Sequence, residues 1–155
     1  MSYLIFFLFA CKETIEPSGI WEVTVTGTGS SNPCVESTEG FESTYQYALY
    51  YDGSFATIKI KDKDSDEFVF FATGEQRGYL LDYTSPTYLE ESPDGNFNWQ
   101  IKGGSYIESA ETDSEQVPDD LDWYGTEILT VVSSENTNIP EGCEYEMSIE
   151  GNVLE

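Results

Sequence analysis

Two alternating runs flank an Asp-Gly pair, and they commit the chain to antiparallel β-structure. In residues 43–51, Tyr45, Tyr47, Leu49 and Tyr51 share one parity; in 55–61, Ala56, Ile58 and Ile60 do; Asp52-Gly53 lies between. A period of two puts alternate side chains on opposite faces of a half-buried strand. Asp-Gly supplies the positive φ that a two-residue hairpin turn requires. The same alternation recurs at 20–26, where Trp21, Val23 and Val25 oppose Glu22, Thr24 and Thr26, and at 143–150, where Tyr145, Met147 and Ile149 oppose Glu144, Glu146 and Ser148. Further strands are expected at 67–73, 79–83, 97–101 (Phe97, Trp99 and Ile101 on one face) and 126–133, with a short one within 86–91. Turns fall at 62–66, 74–78, Pro93-Asp94-Gly95 and Gly103-Gly104; a Gly/Ser/Asn/Pro-rich loop at 27–42 carries Cys34. Residues 109–124 read as an acidic insertion containing Asp113, Asp119, Asp120 and Asp122. No segment shows helical periodicity. An all-β antiparallel meander of eight or nine strands follows, a closed or partly open barrel, with a β-sandwich as the alternative.

Ahead of this domain stands the run Tyr3-Leu4-Ile5-Phe6-Phe7-Leu8-Phe9-Ala10. It is too short for a bilayer span and suits the apolar region of a signal peptide. Its end, Leu8-Phe9-Ala10-Cys11, resembles the lipobox of bacterial lipoproteins: an aliphatic residue, a tolerated position, a small residue and cysteine. The resemblance implies cleavage before Cys11 and lipidation of its thiol. Residues 1–10 are then a signal peptide, 11–18 a lipidated tether and 19–155 a single domain. Met1, Ser2 and Tyr3 depart from the pattern by carrying no Lys or Arg, and the alternative is an N-terminal strand ending in an ordinary cysteine. Lys12, where an aspartate would mark inner-membrane retention, favours the outer membrane or cell surface of a bacterial envelope.

With Cys11 acylated, Cys34 and Cys143 remain, and an even pair in an oxidising compartment reads as one disulfide, the alternative being two buried thiols. Cys34 lies beyond the end of the first strand and Cys143 at the start of the last, so the bond would make these strands antiparallel neighbours, as closure of an even-stranded meander demands. Gly19-Ile20-Trp21 opening the first strand resembles the Gly-x-Trp signature of lipocalins and their calycin relatives. That resemblance implies a lipocalin-like barrel, with Trp21 plugging its closed end and a small, often apolar ligand inside. The late arginine of that family is missing, since Arg77, the chain's single arginine, is mid-chain.

Thirty acidic against six basic residues give a formal charge of −24. Such a field repels phosphate backbones and anionic headgroups, so nucleic acid is excluded as a partner and membrane attachment must come from the lipid. The acids are dispersed, which reads as a solvating surface rather than a cation site. Asp62, Asp64 and Asp66 have the one-three-five spacing of a calcium loop, but Glu67 and Thr73 stand where its glycine and bidentate glutamate belong, and a solvated turn is preferred. There is no histidine, which removes triads and histidine acid/base chemistry. Neither an enzyme nor a cofactor is expected.

The expected function is that of a monomeric, lipid-anchored, non-catalytic barrel binding a small apolar or sugar ligand, with Tyr45, Tyr47, Phe70 and Trp99 as candidate pocket residues. The alternative is a structural or envelope-protein-docking lipoprotein with a filled core, using apolar residues on the outer face of 67–73, where Phe68 and Phe70 oppose Val69 and Phe71. That outer face is expected to be covered by the tether or by the 109–124 insertion. A carboxylate-pair hydrolase is a distant third. An open cavity lined by Tyr and Phe would favour the first reading, and a packed interior with a bare Val69/Phe71 surface the second.

Overall fold

The computed structural model describes residues 15–31, 33–62, 64–108 and 117–154, so the N-terminal apolar run, Cys11 and Asp113 lie outside the described residues. Nine strands are found among them: β1 (Gly19–Ser30), β2 (Glu42–Asp52), β3 (Phe55–Asp62), β4 (Val69–Arg77), β5 (Leu80–Thr84), β6 (Tyr88–Glu90), β7 (Phe97–Ile107), β8 (Trp123–Ser134) and β9 (Glu144–Val153). All pairings are antiparallel. Consecutive strands pair from β1 to β5, β5 pairs with β7, then β8 and β9 follow, and β9 returns to β1. Eight strands thus close a barrel, which leaves no free edge along most of the sheet. Asp52-Gly53 forms the β2–β3 turn, with Asp52 paired to Phe55 and Gly53 at φ 63°.

The ninth strand does not enter the ring. β5 takes the edge of β7 from Lys102 to Tyr106, and β6 takes the same edge from Phe97 to Trp99. Ser85 joins the two stretches: its N–H donates to the Ile101 carbonyl at 2.9 Å, and its Oγ accepts the Ile101 N–H at 2.8 Å. A buried hydroxyl thereby replaces one rung of the ladder. Opposite β6, the start of β4 has no strand partner on that side, and Tyr88 reaches across to donate its hydroxyl to the Phe71 carbonyl at 2.9 Å.

Several expected boundaries are corrected. Gly103-Gly104 does not end a strand; both residues are paired on two sides within β7, to β5 and to β8, and the two ladders hold them extended. Trp123 and Tyr124 belong to β8 rather than to an acidic insertion, because Trp123 pairs with both Ile107 and Gly151. β1 runs to Ser30, four residues beyond the alternating segment. β4 runs from Val69 to Arg77, later than the expected 67–73.

One half of the interior is filled. Trp21 and Trp123 meet edge to face at 5.5 Å between ring centroids, and Tyr47 meets Trp123 the same way at 5.5 Å. Leu49, Ile58 and Ile107 are buried in the same core. The Gly19-Ile20-Trp21 opening has a local steric reason: the Trp21 ring folds over Gly19, where a Cβ would lie 2.5 Å from it.

At the other half the β1–β2 loop folds back on the barrel. Gly27 N–H donates to the Phe41 carbonyl at 2.9 Å, and Thr38 Oγ donates to the Gly29 carbonyl at 2.7 Å. A Cβ on Gly27 would lie 2.1 Å from the Thr38 carbonyl oxygen, so the loop can come this close only over glycine. Cys34 of this loop is disulfide-bonded to Cys143, with Cα atoms 4.8 Å apart and a sequence separation of 109. The bond stitches the β1–β2 loop to the start of β9, as strand closure requires.

Candidate functional site

The register around the barrel places a charged side chain where its neighbours are apolar. On β8, Trp123, Gly125, Glu127, Leu129 and Val131 share the interior parity. Glu127 is 2% exposed. Its partner across β7 is Gly103, whose other partner on β5 is Tyr83. Tyr83 and Glu127 are thus two strands apart in one row of the sheet, and the residue between them has no side chain. The Tyr83 ring occupies that vacancy: a Cβ on Gly103 would lie 2.1 Å from its Cζ. Its hydroxyl reaches Glu127 Oε1 at 2.7 Å, and from across the barrel the Tyr47 hydroxyl reaches the same oxygen at 3.2 Å.

Burial dominates the electrostatics. Removal from water disfavours the carboxylate and pushes Glu127 up to about 7, while the hydrogen bonds from Tyr83 and Tyr47 pull the other way. Burial, and then the charge of Glu127, raises both phenols well above their usual value, so they remain donors throughout the physiological range.

Glu127 forms part of the wall of a cavity of about 330 Å³, open at the end of the barrel opposite the two tryptophans. Tyr45, Tyr47, Phe71 and Trp99 supply aromatic walls. Ile60, Ile101, Leu129 and Met147 supply aliphatic ones, and Thr38 and Phe41 of the folded-back loop complete the rim. Among the described residues, Glu127 is the one carboxyl group in this lining. A space of this size, apolar with a polar group at a fixed place, suits a small organic molecule.

Of the expected pocket residues, Tyr45, Tyr47 and Trp99 line this cavity, and Phe70 does not. Phe70 is 46% exposed on the outside and Phe71 is 4% exposed on the inside. A bulge is the cause: Ile58 pairs with Ala72 and Lys59 with Phe70, so Phe71 is the extra residue and turns inward beside Ala72. Phe70, paired with Lys59, is consequently bare on the outer face in place of Phe71, whereas Val69, paired with the cavity-lining Ile60, points to the opposite side; both stay exposed among the described residues, and Leu81 next to Leu80 is buried. Trp21 is buried against Trp123, in the filled half. Asp64 and Asp66 lie in the β3–β4 turn, and the Asp62 side chain lies outside the described residues. Among the described residues, no three acidic or sulfur side chains are grouped at metal-ligating distance.

Sequence reasoning missed Glu127 and Tyr83. The signal for Glu127 was its parity with Trp123, Leu129 and Val131, obscured because Ile128 and Val132 make the opposite face apolar as well. Comparison with protein-family models, with curated proteins and with solved structures gives no match for this chain.

Proposed function

We propose that this chain is an exported, lipid-anchored protein of the bacterial cell envelope whose barrel binds a small apolar ligand without catalysing a reaction. The cavity carries the reading: half of the interior is hollow, open at one end and walled by Tyr45, Tyr47, Phe71 and Trp99. A sugar is disfavoured, because its hydroxyl groups would need partners that these walls lack. Among the described residues the lining holds one carboxyl, which supports binding over hydrolysis by a carboxylate pair. Lipidation of Cys11 rests on Leu8-Phe9-Ala10-Cys11, with the outer membrane or cell surface as the favoured address and the protein acting as a monomer.

Titration of the full-length protein with propylbenzene, followed calorimetrically, tests the binding half of this reading. Saturable one-to-one binding is expected, and loss of that binding on filling the space with Met147→Trp localises it. No binding heat and no change in Trp99 emission on titration would overturn it. Intact mass of the protein from its native membrane tests the anchor: a diacylglycerol on Cys11 is expected, and an unmodified chain beginning at Met1 would refute it. A second reading, docking to another envelope protein, is favoured by the exposure of Phe70 (46%) on the outer face.

A further inference from the structure

Resting on the cavity reading, we propose that the ligand is a small hydrophobic amine, bound as its cation with the ammonium group against Glu127 and the apolar body between Tyr45, Phe71 and Trp99. Four observations lead there. A carboxyl group sits in the wall of an otherwise apolar cavity, and both tyrosine bonds fall on its Oε1, neither taking Oε2. Leaving a buried acid short of partners is costly, and an ammonium ion supplies the missing charge and donors together. Tyr47 and Trp99 line the same cavity, and aromatic rings attract cations once water is excluded. The whole-molecule charge of −24 concentrates cations at the mouth and repels a fatty acid or any other apolar anion.

The cavity limits the size of the guest. At roughly 30 Å³ per water-sized group, 330 Å³ holds about a dozen non-hydrogen atoms, which suits an arylalkyl or short alkyl amine and excludes a long-chain lipid. Binding also moves a proton in a defined way. The titratable groups facing the site are Glu127 itself, Tyr47 from β2, Tyr83 from β5, and Tyr45 and Tyr145 in the walls; burial raises Tyr47, Tyr83 and Tyr145, and Glu127 is the carboxyl that changes state. Below about pH 7 the free acid is protonated; the entering ammonium ion stabilises the carboxylate, and the proton leaves to solvent.

Three probes of one shape separate the alternatives: phenethylamine, propylbenzene and 3-phenylpropanoate, the cationic, neutral and anionic forms of the same arylalkyl body, titrated calorimetrically into the full-length protein. Phenethylamine is expected to bind at least tenfold more tightly than propylbenzene at pH 8, and 3-phenylpropanoate most weakly. In the wild type the amine affinity rises between pH 5 and pH 8, and at pH 6 binding releases close to one proton, read from the dependence of the heat on buffer ionisation. Glu127→Gln is expected to remove both the preference and the pH dependence. The wild-type proton release needs no variant, so the test stands even if that substitution unfolds the barrel. An amine preference that persists in Glu127→Gln, or that disappears in 0.5 M salt, would assign it to the surface field and overturn the site. Equal binding of amine and hydrocarbon overturns the amine inference and leaves the apolar-ligand reading standing; failure of all three probes overturns both.

Discussion

Replacing Glu127 by glutamine removes one ionisation and little else, because the side chain keeps its shape and can still accept the Tyr47 and Tyr83 hydroxyls. The carboxyl titrates at 4.5 when solvated and at about 7 when buried. Between those values the folded state holds a proton that the unfolded state has released, so stability falls as pH rises. The full loss is 2.5 pH units at about 1.4 kcal/mol each, or about 3–4 kcal/mol, most of it falling between pH 5 and pH 8. Glu127→Gln has no such loss. The remaining acids repel one another in both proteins, so the difference between the two curves isolates this group. Urea unfolding at several pH values, chosen over guanidinium because an ionic denaturant would screen the −24 charge, measures it. The variant is expected to gain on the wild type steadily above pH 5. Parallel curves would show that Glu127 is solvated or already ionised in the folded state, and the account of the site would fail.

Three further perturbations test the geometry around it. Gly103→Ala places a methyl group 2.1 Å from the Tyr83 ring and should cost about 1–3 kcal/mol in urea unfolding, with loss of the Tyr83 bond to Glu127. Phe71→Ala empties an interior position and should cost about 3–5 kcal/mol, whereas Phe70→Ala on the outer face should stay within about 1 kcal/mol; equal costs would contradict the β4 bulge. Replacing Cys34 and Cys143 together by serine opens a 109-residue loop and should lower stability by about 2–5 kcal/mol, seen as a lower urea midpoint.

The meander was legible because each strand carries its own local signal. Asp52-Gly53 between two alternating runs specified the first hairpin, and the placement of Cys34 and Cys143 at opposite ends of the outer strands foretold β1–β9 closure. What escaped was set by pairing between strands distant in sequence. Gly103-Gly104 reads as a turn in isolation, yet ladders on both sides hold it straight, and its purpose becomes visible only when Tyr83 is seen lying across it. The inward turn of Phe71 depends on one extra residue opposite β3, which shifts the parity of an apolar run that looks the same in either register. Tyr45, Tyr47 and Trp99 line the cavity on the face that alternation within their own strands assigns them. Glu127 stayed hidden for the opposite reason: a chain with 30 acids gives no cause to single out one of them until its strand neighbours are known.

The account stands most directly on where a ligand lodges, which methyl-resolved NMR of the full-length protein titrated with phenethylamine reads out residue by residue. Shifts are expected for Met147, Leu129, Ile60 and Val25, which line the cavity, and not for Leu49 and Ile58, which are packed in the filled half. Shifts confined to Ile128 or Val132 on the outer surface, with the cavity methyl groups unmoved, would contradict it.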